Sequence, residues 1–360
     1  MLLRHLPMSK TGWLREALTP FHTIGWCGVD LFFVLSGYLI AGLLLSDLRR
    51  FGKIRLKRFW LRRGLKIWPS YFLIYGAWFA LAVLSPMRHE QWTTAWQKFL
   101  AGIPNFLFIQ NYFPLEARWP HSWSLAIEEQ FYLLLPLILI LCFQARRSKT
   151  EALETASASI LVLCVATLLL RAWTNAVHPG DWTALYYPTH LRIDSLAFGV
   201  YLRVLQARLT LEQFEDLARR VRLATYLLVV ALFICLASVP METHVWILVP
   251  GFTALYLAFG GLVVIAGSGY SWESHLVVLT GLRRLLIYLG TYSYTIYLVH
   301  SVWKLFEYLP LTSSVYSWVT GIWPGWGAAV IYLLVSLGGG VLASRLVEQP
   351  VLAWRARHIP

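Results

Sequence analysis

WCGVDLFFVLSGYLI, residues 26–40, is apolar enough to lie in a bilayer, yet it carries an aspartate, Asp30, at its head. An unpaired carboxylate buried at that depth is costly, so Asp30 must face a partner or a wet cavity. The run decides the fold class, because apolar stretches of similar length recur along the whole chain. Further spans are expected at residues 67–86, 123–143, 155–173, 190–206, 223–240, 246–267, 285–307 and 324–346, beside 25–45 for the first. The reading is an all-α, polytopic transmembrane helical bundle with about nine spans and a single membrane-embedded domain over 1–360.

Composition agrees. Of 360 residues, 58% are hydrophobic and 14% charged, outside the range of soluble domains. The formal charge of +13 comes from 31 Lys and Arg against 18 Asp and Glu. These basic residues cluster between apolar runs, which fits a topology signal and argues against nucleic-acid binding. Cys27, Cys142, Cys164 and Cys235 fall inside apolar stretches without CxxC spacing, so neither a disulfide framework nor a metal site is expected.

Charge placement sets the expected sidedness. Arg49 to Lys66 holds nine Lys or Arg, Arg146 to Lys149 three, and Arg203 to Arg222 five. All reach the cytoplasm together only if the short apolar piece 98–112, broken by Pro104 and Asn105, does not cross. The tail 347–360 is then cytoplasmic. Nine spans with that tail inside place the N-terminus outside, so residues 1–8 read as the remnant of a first helix.

With this topology His5, Asp30, Glu128, Glu129, Arg192, Asp194 and His300 all lie in the outer third of their spans. Polar residues at such depth usually face one another or a cavity. Each also has a plainer reading. Ser122 or Ser124 can cap a helix whose first turn holds Glu128 and Glu129. Arg192 and Asp194 can form a local ion pair, and His300 can be an interfacial histidine. On the inner side, RFWLRRGLKIWPSY packs Arg58, Arg62, Arg63 and Lys66 ahead of Tyr71. This is either a topology signal or a docking patch for polyanionic phosphates.

Read together, GWCGVDLFFVLSGYLI (25–40), RRGLKIWPSY (62–71), WSLAIEEQFYLLLP (123–136), LRIDSLAFG and YSYTIYLVH resemble the acyltransferase 3 family of integral membrane acyltransferases. The resemblance implies a ten-helix bundle. It implies transfer of an acyl group, commonly acetyl, from cytoplasmic acyl-CoA to a hydroxyl of an extracytoplasmic carbohydrate such as O-antigen, exopolysaccharide or peptidoglycan. The setting would be a bacterial-type inner membrane, with membrane lipid, acyl-CoA and the carbohydrate acceptor as partners. His5 matches the family's catalytic histidine by position, while its arginine partner would lie upstream of Met1. Lys66 stands where the family's RxxR pattern expects arginine, keeping the charge but losing the bidentate fork.

The expected mechanism uses His5 as general base on the acceptor hydroxyl, with a covalent acyl-histidine as the alternative. Asp30 would orient the imidazole, Arg192 or a neighbouring polar group would stabilise the oxyanion, Glu128 and Glu129 would position the sugar or the pantetheine arm, and Asp194 would belong to the same catalytic set. Arg58, Arg62, Arg63, Lys66 and Tyr71 would hold the CoA end, and Trp123 and His300 would contact the acceptor. A transporter or flippase for a lipid or glycan, or a non-catalytic partner subunit, is the rival reading.

Overall fold

The structure is a computed structural model that describes residues 2–7, 13–87, 92–113, 120–146, 148–269, 277–302, 310–323 and 326–359. Among these residues every regular element is a helix, as the periodicity predicts. Residues 303–307 of the expected 285–307 span, 324 and 325 of the last span, Arg147, and positions 1, 8 and 360 lie outside the described residues.

Among the described residues six helical stretches are long and apolar enough to cross a membrane: Arg15–Phe51, Trp123–Gln144, Lys149–Val177, Leu211–Ala237, Ile247–Gly267 and Gly327–His358. The remaining three expected spans take other forms. Residues 67–86 belong to α3 (Leu56–Met87), whose first turns carry the basic patch. Residues 190–206 begin with a 3₁₀ turn, Thr189–Leu191, and only then enter α8 (Ile193–Arg208), because Pro188 holds the preceding backbone extended. Residues 285–299 divide into α11 (Val277–Thr291) and α12 (Ser293–Val299), separated at Tyr292.

The chain forms two compact units. One comprises 26–60 and 103–271. It contains α2 (Gly28–Phe51), α5 (Trp123–Gln144), α6 (Lys149–Val177), α7 (Trp182–Tyr186), α8, α9 (Leu211–Ala237) and α10 (Phe252–Gly267). Local signals set the helix ends. The Ser148 hydroxyl caps α6, a Thr210–Gln213 capping box opens α9, and Gly52, at φ 68°, closes α2 in the left-handed region. The α2–α8 crossing is unusually close. A Cβ on Gly37 would lie 1.9 Å from the Leu196 carbonyl oxygen, and one on Gly199 would lie 2.0 Å from that of Val34. Two glycines therefore let two backbones touch, which in lipid replaces the absent hydrophobic drive with packing. Val34, Leu202, Phe214, Tyr256 and Val264 fill the core beside this crossing.

The other unit comprises 1–25, 61–102 and 272–360. It holds α1 (Trp13–Ile24), most of α3, α4 (Trp92–Phe106) as far as Gly102, α11, α12, α13 (Pro310–Ile322) and α14 (Gly327–His358). α14 contains two π-helical stretches, Val335–Gly339 and Ser344–Glu348. Tyr332 anchors the N-terminal turn: its hydroxyl donates to the Leu2 carbonyl at 2.8 Å, and its ring packs with Leu6 and Ala329. Gly340 lets α14 approach Ile296 of α12, where a Cβ would meet the Ile296 Cα at 2.6 Å.

The segment 98–112 is not one continuous helix. α4 ends at Phe106, Phe108 adopts φ 53°, and the chain turns through Gln110–Tyr112. Buried amides hold this turn. Asn105 Nδ2 and Gln110 Nε2 donate to the Ser122 hydroxyl at 3.0 and 3.2 Å, and Gln130 Nε2 donates to Phe108 O and Asn111 Oδ1.

Candidate active site

In the unit containing α2, four wholly buried charges form two crossed ion pairs. Asp30 sits in the first turn of α2 and Arg192 at the N-cap of α8. Arg192 Nη2 donates to both Asp30 oxygens, at 2.9 and 3.0 Å, and the Ser195 hydroxyl donates to Asp30 Oδ1 at 3.0 Å. Asp194, in the first turn of α8, pairs instead with Arg171 of α6 at 2.7 Å. The neighbours Arg192 and Asp194 thus reach across helices rather than to each other. Asp194 Oδ1 also accepts the Ser195 amide at 3.1 Å.

Arg171 does the most to fix this arrangement. Its Nη1 also donates to Leu191 O and its Nη2 to the Thr253 hydroxyl, both at 2.9 Å. A π-helical turn, Ile247–Gly251, delivers this partner. It sets consecutive residues of α10 against two arginines, with Thr253 meeting Arg171 and the Phe252 ring centre lying 3.5 Å from the Arg192 guanidinium carbon. Tyr186 and Trp123 complete the aromatic surround at 5.3 and 5.7 Å. Among the described residues Arg192 Nε and Nη1 make no hydrogen bond. Two acids and two bases sum to zero, so the cluster is stable in a dry interior only as a whole.

In the other unit, His5 ends the 3₁₀ turn Leu2–His5 and is exposed, whereas His300, just after α12, is buried. Their imidazole centres lie 5.1 Å apart, although 295 positions separate them in sequence. His300 Nδ1 donates to the Tyr297 carbonyl, which fixes the neutral tautomer with Nε2 as the acceptor nitrogen.

The basic patch is engaged by the chain itself. Lys66 pairs with Glu348 of α14, a buried carboxylate also held by the Ser344 hydroxyl at 2.9 Å. Arg62 donates to Ile359 O, and Arg355 donates to Arg62 O at 3.0 Å. Arg58, in the α2-containing unit, pairs with Asp47 at 3.5 Å. Arg63 is half-buried, and Tyr71 is buried and stacked on Tyr75. Glu128 and Glu129 lie in α5, the first half-buried and the second buried. Trp123 packs edge-on against Phe33 as well as beside Arg192.

Arg171, Thr253 and Glu348 were not singled out from sequence. The signal existed for Arg171, a lone arginine in an apolar run, and for Glu348, an acid at the end of a span. Among the described residues no group of His, Cys, Asp and Glu is arranged to hold a metal ion.

Buried compensating charge in a helical bundle, with a histidine pair and an engaged basic patch, defines an integral membrane protein built around polar chemistry. Residues 2–345 match the acyltransferase domain family, and the chain belongs to that family. With six helices among the described residues suited to crossing a bilayer, it is a multi-pass membrane protein. It is similar to the O-acetyltransferase OatA of Staphylococcus aureus strain NCTC 8325, with 29% identity over 338 residues, 91% of this chain and 52% of that protein. It is also similar to a putative O-acetyltransferase of strain MRSA252, with 26% identity over 360 residues, 94% of this chain and 56% of that protein. The chain thus spans about half the length of these relatives. No solved structure matches it.

Proposed function

We propose that this chain is a membrane O-acyltransferase that moves an acetyl group from cytoplasmic acetyl-CoA to a hydroxyl of an extracytoplasmic carbohydrate. The observation that carries the reading is the His5–His300 pair: one exposed imidazole beside one whose tautomer is set, in a chain of the acyltransferase family. His5 takes the proton of the acceptor hydroxyl as its oxygen bonds to the thioester carbonyl carbon. The tetrahedral intermediate collapses with cleavage of the C–S bond, and the proton on His5 passes to the departing thiolate. Histidine suits both transfers because its ordinary pKa lies near neutrality.

Arg192 is assigned to the developing negative charge on the acyl carbonyl. Asp30 and Asp194 hold the arginines in place, and Glu128 and Glu129 orient the acceptor together with Trp123 and His300. Asp30 is engaged by Arg192 and Ser195, so its role is assigned through Arg192 rather than through the His5 imidazole. On the donor side, Arg62, Arg63 and Lys66 are assigned to the CoA phosphates, with Arg58 and Tyr71 shaping the patch. Lys66 is free for this only when it exchanges Glu348 for phosphate. The expected location is the inner membrane with a cytoplasmic C-terminus.

The test is incorporation of labelled acetyl-CoA into lumenal glycan by inverted membrane vesicles. The intact chain is expected to label glycan, and His5→Ala to lose at least about a hundredfold of the rate. Wild-type turnover in His5→Ala would end the general-base assignment. Glycan left unlabelled by the intact chain would end the transferase reading for this length of chain.

A further inference from the structure

A cleft of about 310 Å³ opens between the first turns of α9 and the end of α10. Glu215, Arg219 and Arg222 line it from α9, and Ile265, Ser268 and Gly269 from the other side. Its volume is at the lower end of what small-molecule sites occupy. Gly269 adopts φ 74° after α10, and the Ser268 hydroxyl is spent on Ile265 O at 2.8 Å, leaving its oxygen as an acceptor. The capping box at Thr210 and Gln213 fixes the start of α9 one turn before this wall. Arg219 is loosely committed: Asp216 lies 3.6 Å away and its other oxygen is held by Arg220 at 2.6 Å.

The cleft does not end at its polar rim. Below Arg219 on the same face of α9 run Leu223, Leu227, Val230 and Ile234, each at least 55% exposed. Apolar exposure on a membrane helix is ordinary by itself. Here it continues directly from a basic cleft at the end of a candidate span, so head and tail of one amphiphile are provided for together. Among the described lining residues two arginines stand against one glutamate.

We propose that this cleft is a binding site for an anionic glycerophospholipid of the phosphatidylglycerol kind. The phosphate lies on Arg219 and Arg222, the headgroup hydroxyls donate to Glu215 and to the Ser268 oxygen, and one acyl chain follows the Leu223–Ile234 stripe. Glu215 selects against a choline headgroup, which has no hydroxyl or N–H to donate to it.

The experiment is native mass spectrometry of the purified full chain, titrated with phosphatidylglycerol or phosphatidylcholine. The wild type is expected to retain one phosphatidylglycerol in preference to phosphatidylcholine. Arg219→Gln with Arg222→Gln is expected to weaken that retention about thirtyfold, at an unchanged melting temperature. Arg49→Gln with Arg50→Gln removes the same charge from exposed arginines of α2 and is expected to leave the retained lipid in place. Equal losses in the two double variants would reduce the effect to diffuse attraction and overturn the site. Displacement of the lipid by glycerol 3-phosphate at matched concentration would overturn the choice of a lipid. Equal retention of phosphatidylcholine would overturn the headgroup assignment.

Discussion

Arg192 and Asp30, 162 residues apart in sequence, meet through one guanidinium nitrogen that reaches both carboxylate oxygens, with neither side chain open to solvent. Breaking one partner leaves the other charged and dry. Asp30→Asn is expected to destabilise the chain by about 3–5 kcal/mol, read as a fall in melting temperature in detergent. Asp30→Leu combined with Arg192→Met removes both charges and should recover most of that loss. If the double variant is stable but does not transfer acetyl groups, Arg192 serves chemistry; if it is stable and active, the pair serves folding alone.

Arg171 binds one carboxylate, one carbonyl and one hydroxyl on three different segments. Lysine keeps its charge but cannot serve all three. Arg171→Lys should therefore lower the melting temperature, and Thr253→Val, which leaves Arg171 short of one acceptor, should cost about 1–3 kcal/mol. An unaltered melting temperature in Arg171→Lys would show that the charge alone suffices.

Under the donor role proposed for the basic patch, Glu348 competes with the donor phosphates for Lys66. Glu348→Gln should lower the apparent KM for acetyl-CoA, by about tenfold at most because Lys66 is partly exposed, and Lys66→Glu should raise it. Unchanged KM values in both variants would return the patch to a topology signal.

At the α2–α8 crossing, a methyl group at Gly37 or Gly199 collides with backbone, which cannot rotate aside as a side chain can. Gly199→Ala is expected to cost about 1–3 kcal/mol or more. Gly76→Ala, where no neighbour stands within 4 Å, is the control and should be neutral or mildly stabilising.

Asp181 caps α7, its Oδ1 accepting from the Thr183 hydroxyl at 2.6 Å and from the Thr183 and Ala184 amides at 3.0 and 3.2 Å. The Thr183 hydroxyl, ahead of the two amides, holds the carboxyl below its ordinary range. A depressed acid stabilises the folded form above its unfolded pKa and ceases to as pH falls through the lower, folded one. Protection of the Ala184 amide, taken relative to its intrinsic exchange rate at each pH, should therefore be high at neutral pH and fall only in acid, and Asp181→Asn should lose that dependence. An identical profile in the variant would remove the carboxylate from the cap.

Much of the fold was legible because apolar run length is a local signal. The runs at 123–143 and 155–173 lie in α5 and α6, and the need for a partner at Asp30 followed from the cost of burial. Which partner it takes was not legible. Arg192 sits beside Asp194, and local proximity suggested a pair that the turn at Thr189–Leu191 instead splits between α2 and α6. Arg171 escaped notice because an arginine near the end of an apolar run looks like an interfacial anchor until helix packing shows it wholly enclosed. The His5–His300 contact joins positions 295 residues apart, and no periodicity reports on that distance.

The separation between Asp30 and Arg192 also sets a schedule. At ordinary synthesis rates, the 162 residues between them take roughly ten to thirty seconds to emerge. For that interval the second helix is in the membrane pathway with its acid uncompensated, and Arg171 reaches the bilayer before Asp194 exists to receive it. Asp30 must be kept at the wet boundary or neutralised by a proton, and Arg171 kept at that boundary, until α8 arrives and brings both counter-charges within three residues. Arrival of α8 is thus the step after which the first half of this chain can no longer slip back, and a truncation just before residue 192 should leave α2 extractable where one just beyond α8 does not.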